Sequence, residues 1–79
     1  FLKDGSKKTL GVMLIGEYEF NTVSRELMEI ISGKLYLKLK DDIEWKLITN
    51  GMEFYIPKNS SFKLKVLDLV NYTCSYFDD

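Results

Sequence analysis

Residues 51–62 constrain the fold of this chain more than any other segment, because two turns, two strands and a proline follow one another there at fixed spacing. Asn50-Gly51 predicts a tight hairpin turn, since glycine adopts a positive φ without steric cost. The apolar residues 54–56 predict a strand, which Pro57 ends because proline has no N–H for a β-ladder. Asn59 tolerates a left-handed conformation, so we expect a second turn there that sends the chain back along another strand.

The rest of the chain also predicts short strands, because β-branched and aromatic residues fill brief runs that turn signals separate. Strands are predicted over residues 9–15, 17–20, 28–31, 34–39, 45–48, 61–66 and 70–77, with a bend at Gly16, a loop over residues 21–26, and turns at residues 3–8, 32–33, 41–42 and Asp68. Strict alternation places the three leucines of residues 34–39 on a core face, and places Tyr72, Cys74 and Tyr76 together on one face of the last strand. We therefore predict an all-β fold in which antiparallel strands close into a jelly-roll β-barrel.

Length and composition exclude several classes of protein. The 79 residues form one small domain, residues 1–79, whose core would leave only about 3–5 kcal/mol of net stability, so self-association is expected. A net charge of -1 without a basic run predicts no nucleic-acid partner. No apolar run approaches the length of a membrane span, so no membrane partner is expected. The single cysteine, Cys74, excludes an internal disulfide and fits the cytoplasm, which is the predicted location.

The chain contains no histidine, and this excludes several kinds of active site. A Ser-His-Asp triad, a Cys-His pair and a histidine–carboxylate metal site all need an imidazole, so we predict neither a metal nor a cofactor. Gly5, Gly11 and Gly16 do not form a phosphate-cradling pattern before a helix, so a nucleotide-binding loop is not supported. Carboxylates, hydroxyls, aromatic rings and backbone amides remain, and they suit chemistry that depends on positioning and charge stabilisation.

Two segments match the halves of the cupin signature. Residues 26–33 fit the end of the first cupin motif, a glutamate followed by six residues and then a glycine at a hairpin. Residues 51–62 fit the second motif, which reads Gly, five residues, Pro, one residue, Gly, two residues, His. Asn59 stands at the second glycine and Phe62 at the histidine, so the segment resembles a cupin scaffold without its metal ligand.

Beyond this match, five segments taken in order resemble the pyrimidine/purine nucleoside phosphorylase family, a small cupin family formerly known as a domain of unknown function. The segments are Lys8-Thr9-Leu10-Gly11-Val12-Met13, Gly16-Glu17-Tyr18-Glu19-Phe20, Met28-Glu29-Ile30-Ile31-Ser32-Gly33, Phe54-Tyr55-Ile56-Pro57 with Asn59-Ser60, and Tyr72-Thr73-Cys74-Ser75-Tyr76. The resemblance covers nearly the whole chain. Two features differ: members of the family often carry Gly where this chain has Lys58, and they have a leading strand that would precede Phe1.

The resemblance implies a specific activity and assembly. It implies a metal-free cupin barrel that splits purine and pyrimidine nucleosides with inorganic phosphate into free base and pentose 1-phosphate. The implied partners are therefore a nucleoside and inorganic phosphate. It also implies a homodimer.

Phosphorolysis builds positive charge on the sugar ring, so the predicted site needs a carboxylate beside the ring and hydrogen-bond donors for the phosphate. Glu26 is the first candidate for that carboxylate, because its position resembles that of the metal-binding glutamate of other cupins, and Glu17 is the second. The candidates for contacts to phosphate or ribose are Thr9, Arg25, Asn59 and Ser60, and those for the surface on which the base stacks are Phe20, Tyr55, Phe62 and Tyr72. The competing interpretation of each is structural: a solvated carboxylate, a turn residue, a surface ion pair or a core aromatic ring.

Two other functions compete with the phosphorylase. One is a non-catalytic, cupin-like module that binds or senses a sugar or a nucleoside in the same pocket, since one fold hosts many activities. The other is a β-sandwich interaction domain that pairs through an open sheet edge. A pocket lined by Glu26 and aromatic rings argues against the interaction domain, whereas a pocket mouth filled by large side chains favours it.

Overall fold

The computed structural model describes residues 7–77. Six strands follow in order: β1 (Lys7–Met13), β2 (Gly16–Asn21), β3 (Arg25–Leu39), β4 (Lys46–Thr49), β5 (Glu53–Ile56) and β6 (Ser61–Phe77). All hydrogen-bonded strand pairs among them are antiparallel, and no helix occurs within the described residues. The predicted all-β fold is therefore confirmed. Of the predicted turn at residues 3–8, residues 7–8 belong to β1 and residues 3–6 lie outside the described residues.

The two longest strands, β3 and β6, run through the whole sheet and divide it into two layers. In one layer the order is β2-β6-β3-β4, built on residues 61–66 of β6 and residues 34–39 of β3. In the other layer the order is β1-β6-β3-β5, built on residues 70–77 of β6 and residues 25–30 of β3. The register between β3 and β6 shifts in the middle of β3, where the sheet passes from one layer to the other.

The hydrophobic core lies between the two layers, because each layer contributes the alternate side chains of its inner face. The buried members of this single cluster are Leu35, Leu37, Ile48, Phe62, Leu64 and Val66 from the first layer, and Met13, Met28, Ile30, Ile56, Val70 and Cys74 from the second. Leu35 and Leu37 are almost fully buried and Leu39 packs against the same cluster, as their alternation predicted. The layers therefore face each other in a jelly-roll arrangement.

The chain does not turn at residues 32–33 or at Asp68, so two of the predicted turns are wrong. Lys34 pairs with Asp68 inside one continuous β3–β6 ladder. Gly33 has a φ of 110°, and its N–H donates a hydrogen bond of 2.7 Å to the side-chain oxygen of Asn50. The Ser-Gly and Asp signals therefore mark a β-bulge, in which a residue leaves the ladder without ending the strand.

The turns at residues 50–51 and 58–59 are confirmed, but the strands that they join do not pair with each other. Gly51 has a φ of 81° and Asn59 a φ of 53°. Because β4 and β5 pair with opposite halves of β3, the first turn passes between the layers and does not close a hairpin. After Asn59, β6 likewise begins in the layer opposite to β5. The local sequence specifies a turn, whereas the partner of each strand depends on distant residues.

The predicted closure of the barrel is not observed, because the sheet stays open among the described strands. The strands β1, β2, β4 and β5 each pair on one side only. A leading strand before Phe1 would lie outside the described residues. At one rim the segment between β2 and β3 is bonded to the segment between β5 and β6. The Thr22 N–H donates to the Ser60 carbonyl over 2.8 Å, and the Thr22 hydroxyl donates to the Pro57 carbonyl over 2.7 Å.

Candidate functional site

A cavity of about 360 Å³ lies between the two layers. Its walls are formed by Met13, Phe20, Asn21, Val23, Ser24, Glu26, Met28, Phe62, Tyr72, Cys74 and Tyr76. The loop that contributes to its rim spans only residues 22–24, and it is shorter than the predicted loop over residues 21–26. Small-ligand sites are commonly cavities of about 300–1,000 Å³ with a mostly apolar lining and a few polar groups, and this cavity matches that description.

Glu26 lines the cavity from β3, opposite Tyr76 of β6 and Ile56 of β5. Burial raises the pKa of the Glu26 carboxyl above its ordinary value of 4.5, and a hydrogen bond from Cys74 partly opposes this rise. Among the described residues, Glu26 is the only acidic side chain in the cavity wall. The structure therefore brings the first predicted carboxylate to a half-buried, mostly apolar setting.

A series of protic side chains runs along the inner face and ends at Glu26. The Cys74 thiol donates to Glu26 Oε1 over 3.5 Å. Tyr76 forms a side-chain hydrogen bond with Cys74, and Thr9 of β1 forms one with Tyr76. Burial raises the pKa of the Cys74 thiol to about 12, so the thiol stays protonated at neutral pH and remains a donor. This hydrogen bond joins one oxygen of the Glu26 carboxyl to β6.

A second part of the cavity wall is aromatic. Phe20 and Phe62 are directly opposite each other in the β2–β6 ladder, with ring centroids 5.3 Å apart and an interplanar angle of 32°. Phe20 is 40% exposed, whereas Phe62 is 3% exposed and belongs to the core. Tyr18, two residues earlier in β2, lies beside Phe20 at a centroid distance of 6.1 Å and an interplanar angle of 8°. The cavity therefore presents an exposed ring that two neighbouring rings support, which is a suitable surface for a planar ligand.

The structure brings four of the predicted site residues together at the cavity, namely Glu26, Phe20, Phe62 and Tyr72. Thr9 is exposed on β1 next to Tyr76 and does not line the cavity. The cavity is lined by one carboxylate and several aromatic rings, which argues against the simple interaction domain. The roles of these residues in binding or catalysis stay predictions.

Three of the other predicted residues lie on outer faces. Glu17 lines a separate hollow together with Trp45 and Lys65. The guanidinium carbon of Arg25 lies 4.2 Å from the ring centroid of Phe77 and 5.4 Å from that of Tyr55. Since Arg25 neighbours Glu26 in β3, the pleat of the strand directs it away from the cavity. The second predicted carboxylate, the predicted cation and one predicted stacking ring are thus absent from the cavity wall.

Asn59 and Ser60, the remaining predicted residues, form the turn before β6. The Ser60 N–H donates to the Thr22 hydroxyl over 2.9 Å, so this turn holds the loop of residues 22–24 in position at the cavity rim. Asn59 supplies the positive φ of the turn and Ser60 its contact with Thr22, so both have the structural role that was the competing interpretation.

Several cavity residues were not singled out from the sequence. Tyr76 was predicted to share a face with Tyr72 and Cys74, but alternation alone did not indicate that this face looks into a cavity. Asn21 and Ser24 lie at the ends of an irregular loop, where no periodicity indicates direction. Only the packing of the two layers defines these positions.

The charged groups of the cavity limit what it can hold. Within residues 7–77 no group of three or more His, Cys, Asp or Glu side chains is arranged to bind a metal ion. No Lys or Arg is among the described residues that line the cavity. The part of the chain that the structure describes also contains no helix long and apolar enough to cross a membrane.

The fold matches solved structures of cupins. A cupin-2 domain protein from Shewanella frigidimarina superposes with a TM-score of 0.79 over 99% of this chain and 74% of that chain, and its 16% sequence identity shows the fold alone. A protein of unknown function (DUF1255) from Acinetobacter sp. ADP1 superposes with a TM-score of 0.87 at 42% identity, over 95% of this chain and 73% of that chain. The chain is therefore a small all-β protein with a cupin-like fold.

Sequence comparison identifies the family within this class. The family model described as pyrimidine/purine nucleoside phosphorylase matches residues 1–76. A protein of that name from Chlorobium chlorochromatii is 55% identical over 73 residues, which cover 92% of this chain and 70% of that protein. Another from Geotalea uraniireducens is 54% identical over 74 residues, which cover 94% and 71% of the two chains. The chain belongs to the pyrimidine/purine nucleoside phosphorylase family, as its motifs predicted.

Proposed function

We propose that this protein cleaves purine and pyrimidine nucleosides with inorganic phosphate, releasing the free base and pentose 1-phosphate. The observation that carries the proposal is the half-buried Glu26 carboxyl, which shares one cavity with the exposed ring of Phe20. Relatives with 55% and 54% sequence identity carry the name pyrimidine/purine nucleoside phosphorylase, which supports nucleosides as the substrate class.

The reaction needs a group that stabilises charge on the sugar, donors that hold the phosphate and a surface for the base. As the bond between the anomeric carbon and the base nitrogen breaks, its electron pair leaves with the base and positive charge develops on the sugar. The ionised Glu26 carboxylate stabilises that charge at short range in a mostly apolar cavity. A phosphate oxygen then bonds to the anomeric carbon, and the proton of the hydrogen phosphate ends on the base. The ring of Phe20, supported by Phe62, offers a stacking surface for the base.

Phosphate binding depends on neutral donors in this account. The described wall contains no Lys or Arg, but it includes Ser24 and Tyr76, which carry hydroxyls, and Asn21, which carries an amide. Hydrogen bonds from several neutral groups hold an oxyanion when the donors are fixed in advance. We therefore expect weak binding of free phosphate and stronger binding once a nucleoside closes the cavity.

The lack of a cationic side chain in the described wall also favours a second candidate, a module that binds a nucleoside or sugar without turnover. The test incubates the purified protein with uridine, inosine or adenosine, with and without phosphate, and measures free base by chromatography. Base released only with phosphate supports the phosphorylase. Nucleoside binding without release supports the binding module, and release without phosphate would mean hydrolysis.

We also propose that the protein works as a homodimer. Leu10 and Val12 of β1 are 80% and 57% exposed, and β1 pairs only with β6 among the described strands. An exposed apolar strand edge is unfavourable unless another chain covers it, and a second copy would supply the covering surface. Light scattering of the purified protein should give twice the chain mass, and Leu10→Asp should shift it toward one chain mass. A monomer at all concentrations would contradict the proposal.

A further inference from the structure

The aromatic ring of Tyr72 occupies the space above a residue that has no side chain. Gly11 of β1 and Tyr72 of β6 are directly opposite each other in the ladder. A Cβ added at Gly11 would lie 2.5 Å from both Cζ and Oη of the tyrosine and 2.8 Å from Cε1. Because carbon atoms that touch without bonding lie about 3.5–4.0 Å apart, the ring could not stay in this position beside any other residue.

Gly11 is required for space and not for backbone conformation. The φ angles in the left-handed region belong to Gly16, Gly33, Gly51 and Asn59 among the described residues. An alanine could therefore adopt the backbone of Gly11 and would meet only the far end of the Tyr72 side chain. Such a contact is relieved by rotating the tyrosine, so the change should move the ring much more than it destabilises the fold.

The surroundings of the Tyr72 ring differ between the side of β3 and the side of the cavity. On the side of β6 away from β1, Tyr72 is opposite Ile30 of β3, which is 1% exposed and belongs to the core. That side is filled, whereas the cavity lined by Tyr72 lies next to the ring. We therefore expect a ring pushed off Gly11 to move into the cavity and reduce its width.

The geometry points to Gly11 as a positioning residue that sets how large a base the cavity admits. By letting the Tyr72 ring lie against β1, Gly11 keeps the cavity wide enough for a two-ring purine as well as a one-ring pyrimidine. This assignment rests on the proposed nucleoside phosphorolysis, since it names the feature that gives the same site its tolerance for base size.

The test compares inosine with uridine in Gly11→Ala. We expect KM and the calorimetric Kd for inosine to rise by about tenfold, the range in which one extra carbon alters a tight pocket, and those for uridine to change much less. The kcat for uridine should be retained. The thermal midpoint should stay near that of the wild type.

Two double variants separate displacement of the ring from a general defect. Tyr72→Leu removes all three clashing atoms, so adding Gly11→Ala to it should have no further effect on the ratio of inosine to uridine affinity. Tyr72→Phe removes only the hydroxyl and keeps Cζ and Cε1, so Gly11→Ala should still lower that ratio. Equal losses for both nucleosides, or a loss that persists beside Tyr72→Leu, would overturn the assignment.

A crystal structure of Gly11→Ala reports the ring position without any nucleoside. A ring that stays over residue 11 contradicts the assignment even if turnover is normal. Conversely, wild-type protein that binds neither nucleoside, together with a displaced ring in the variant, removes the proposed function and leaves Gly11 as a determinant of cavity shape only. The two failures are thereby distinguishable.

Discussion

Glu26 owes its unusual environment to its position on the inner face of β3. Burial raises the pKa of its carboxyl, while the Cys74 thiol donates a hydrogen bond to one of its oxygens. The same residue in an open strand would be a solvated glutamate, which is how most glutamates occur. The two layers therefore convert an ordinary surface residue type into a candidate catalytic carboxylate.

The ionisation of Glu26 predicts how activity depends on pH. If the ionised carboxylate stabilises the sugar cation, kcat/KM for uridine should rise with pH through a midpoint above 4.5, because burial raises the pKa of Glu26 above that value. Glu26→Gln is the control, since it retains the titration of phosphate itself and should lack this rising limb. A wild-type profile that falls with pH in the same window would instead assign Glu26 the role of a proton donor.

The titration of Glu26 should also affect the stability of the fold, but its contribution should decrease as pH rises. A carboxyl whose pKa is higher in the folded than in the unfolded state favours folding when protonated, so its contribution is fully present below 4.5 and is lost as pH rises through the folded pKa. The thermal midpoint of Glu26→Gln relative to the wild type should therefore increase from about pH 4 to about pH 8. A difference independent of pH would show that burial of Glu26 has no energetic consequence.

Cys74 is predicted to be chemically inert. Its side chain is buried, and burial raises the pKa of its thiol to about 12, so almost no reactive thiolate exists at neutral pH. Iodoacetamide should modify the folded protein at least about a hundredfold more slowly than the urea-unfolded chain. Mass spectrometry measures the rate of modification. Fast modification under native conditions would mean that the Cys74–Glu26 hydrogen bond is not maintained.

At the scale of elements, the long strands β3 and β6 show what the sequence could and could not predict. Alternation within residues 34–39 correctly predicted the core face, because side-chain direction in a strand is a local property. Ser32-Gly33 and Asp68 predict turns, although both belong to continuous strands. A bulge and a turn use the same residue types, and only the partner strand distinguishes them.

The bulge at Gly33 gives a prediction at this scale. A Cβ there would meet the Leu69 carbonyl oxygen and the Val70 backbone, and a φ of 110° is unfavourable for other residues. We expect Gly33→Ala to lower the free energy of unfolding by about 1–3 kcal/mol or more, measured by urea titration. Gly51→Ala is the matched control, because Gly51 has a φ of 81° but no heavy atom within 4 Å of the added carbon. Equal costs would mean that the close approach of β6 does not constrain residue 33.

The candidate site was also predictable only in part, because the direction of a side chain depends on which strands pair. Glu26, Phe20, Phe62 and Tyr72 were predicted from family motifs, and the structure brings them to one cavity. The predictions for Arg25 and Tyr55 did not account for the strand pleat that directs them outward. The inward direction of Tyr76 depends on which layer faces which, and that is fixed by pairing between residues far apart in the chain.

At the scale of the whole molecule, the cavity exists because two open layers face each other. The sheet is not closed among the described strands, so the interior is enclosed by packing and by the contacts of Thr22 with the turn before β6. An assembly that covers the exposed edge of β1 would strengthen this arrangement, which is why a homodimer is proposed. The cytoplasmic location predicted from the single cysteine stays a prediction.

Phosphorus NMR of the reaction mixture tests most directly whether this cavity performs phosphorolysis with Glu26 as its carboxylate. Wild-type protein given inosine and phosphate should produce a pentose 1-phosphate signal in proportion to free base. Glu26→Gln should produce it about a hundredfold more slowly, and Glu53→Gln, an exposed carboxylate on β5, at the wild-type rate. No pentose 1-phosphate from the wild type, or an undiminished rate in Glu26→Gln, would contradict the account.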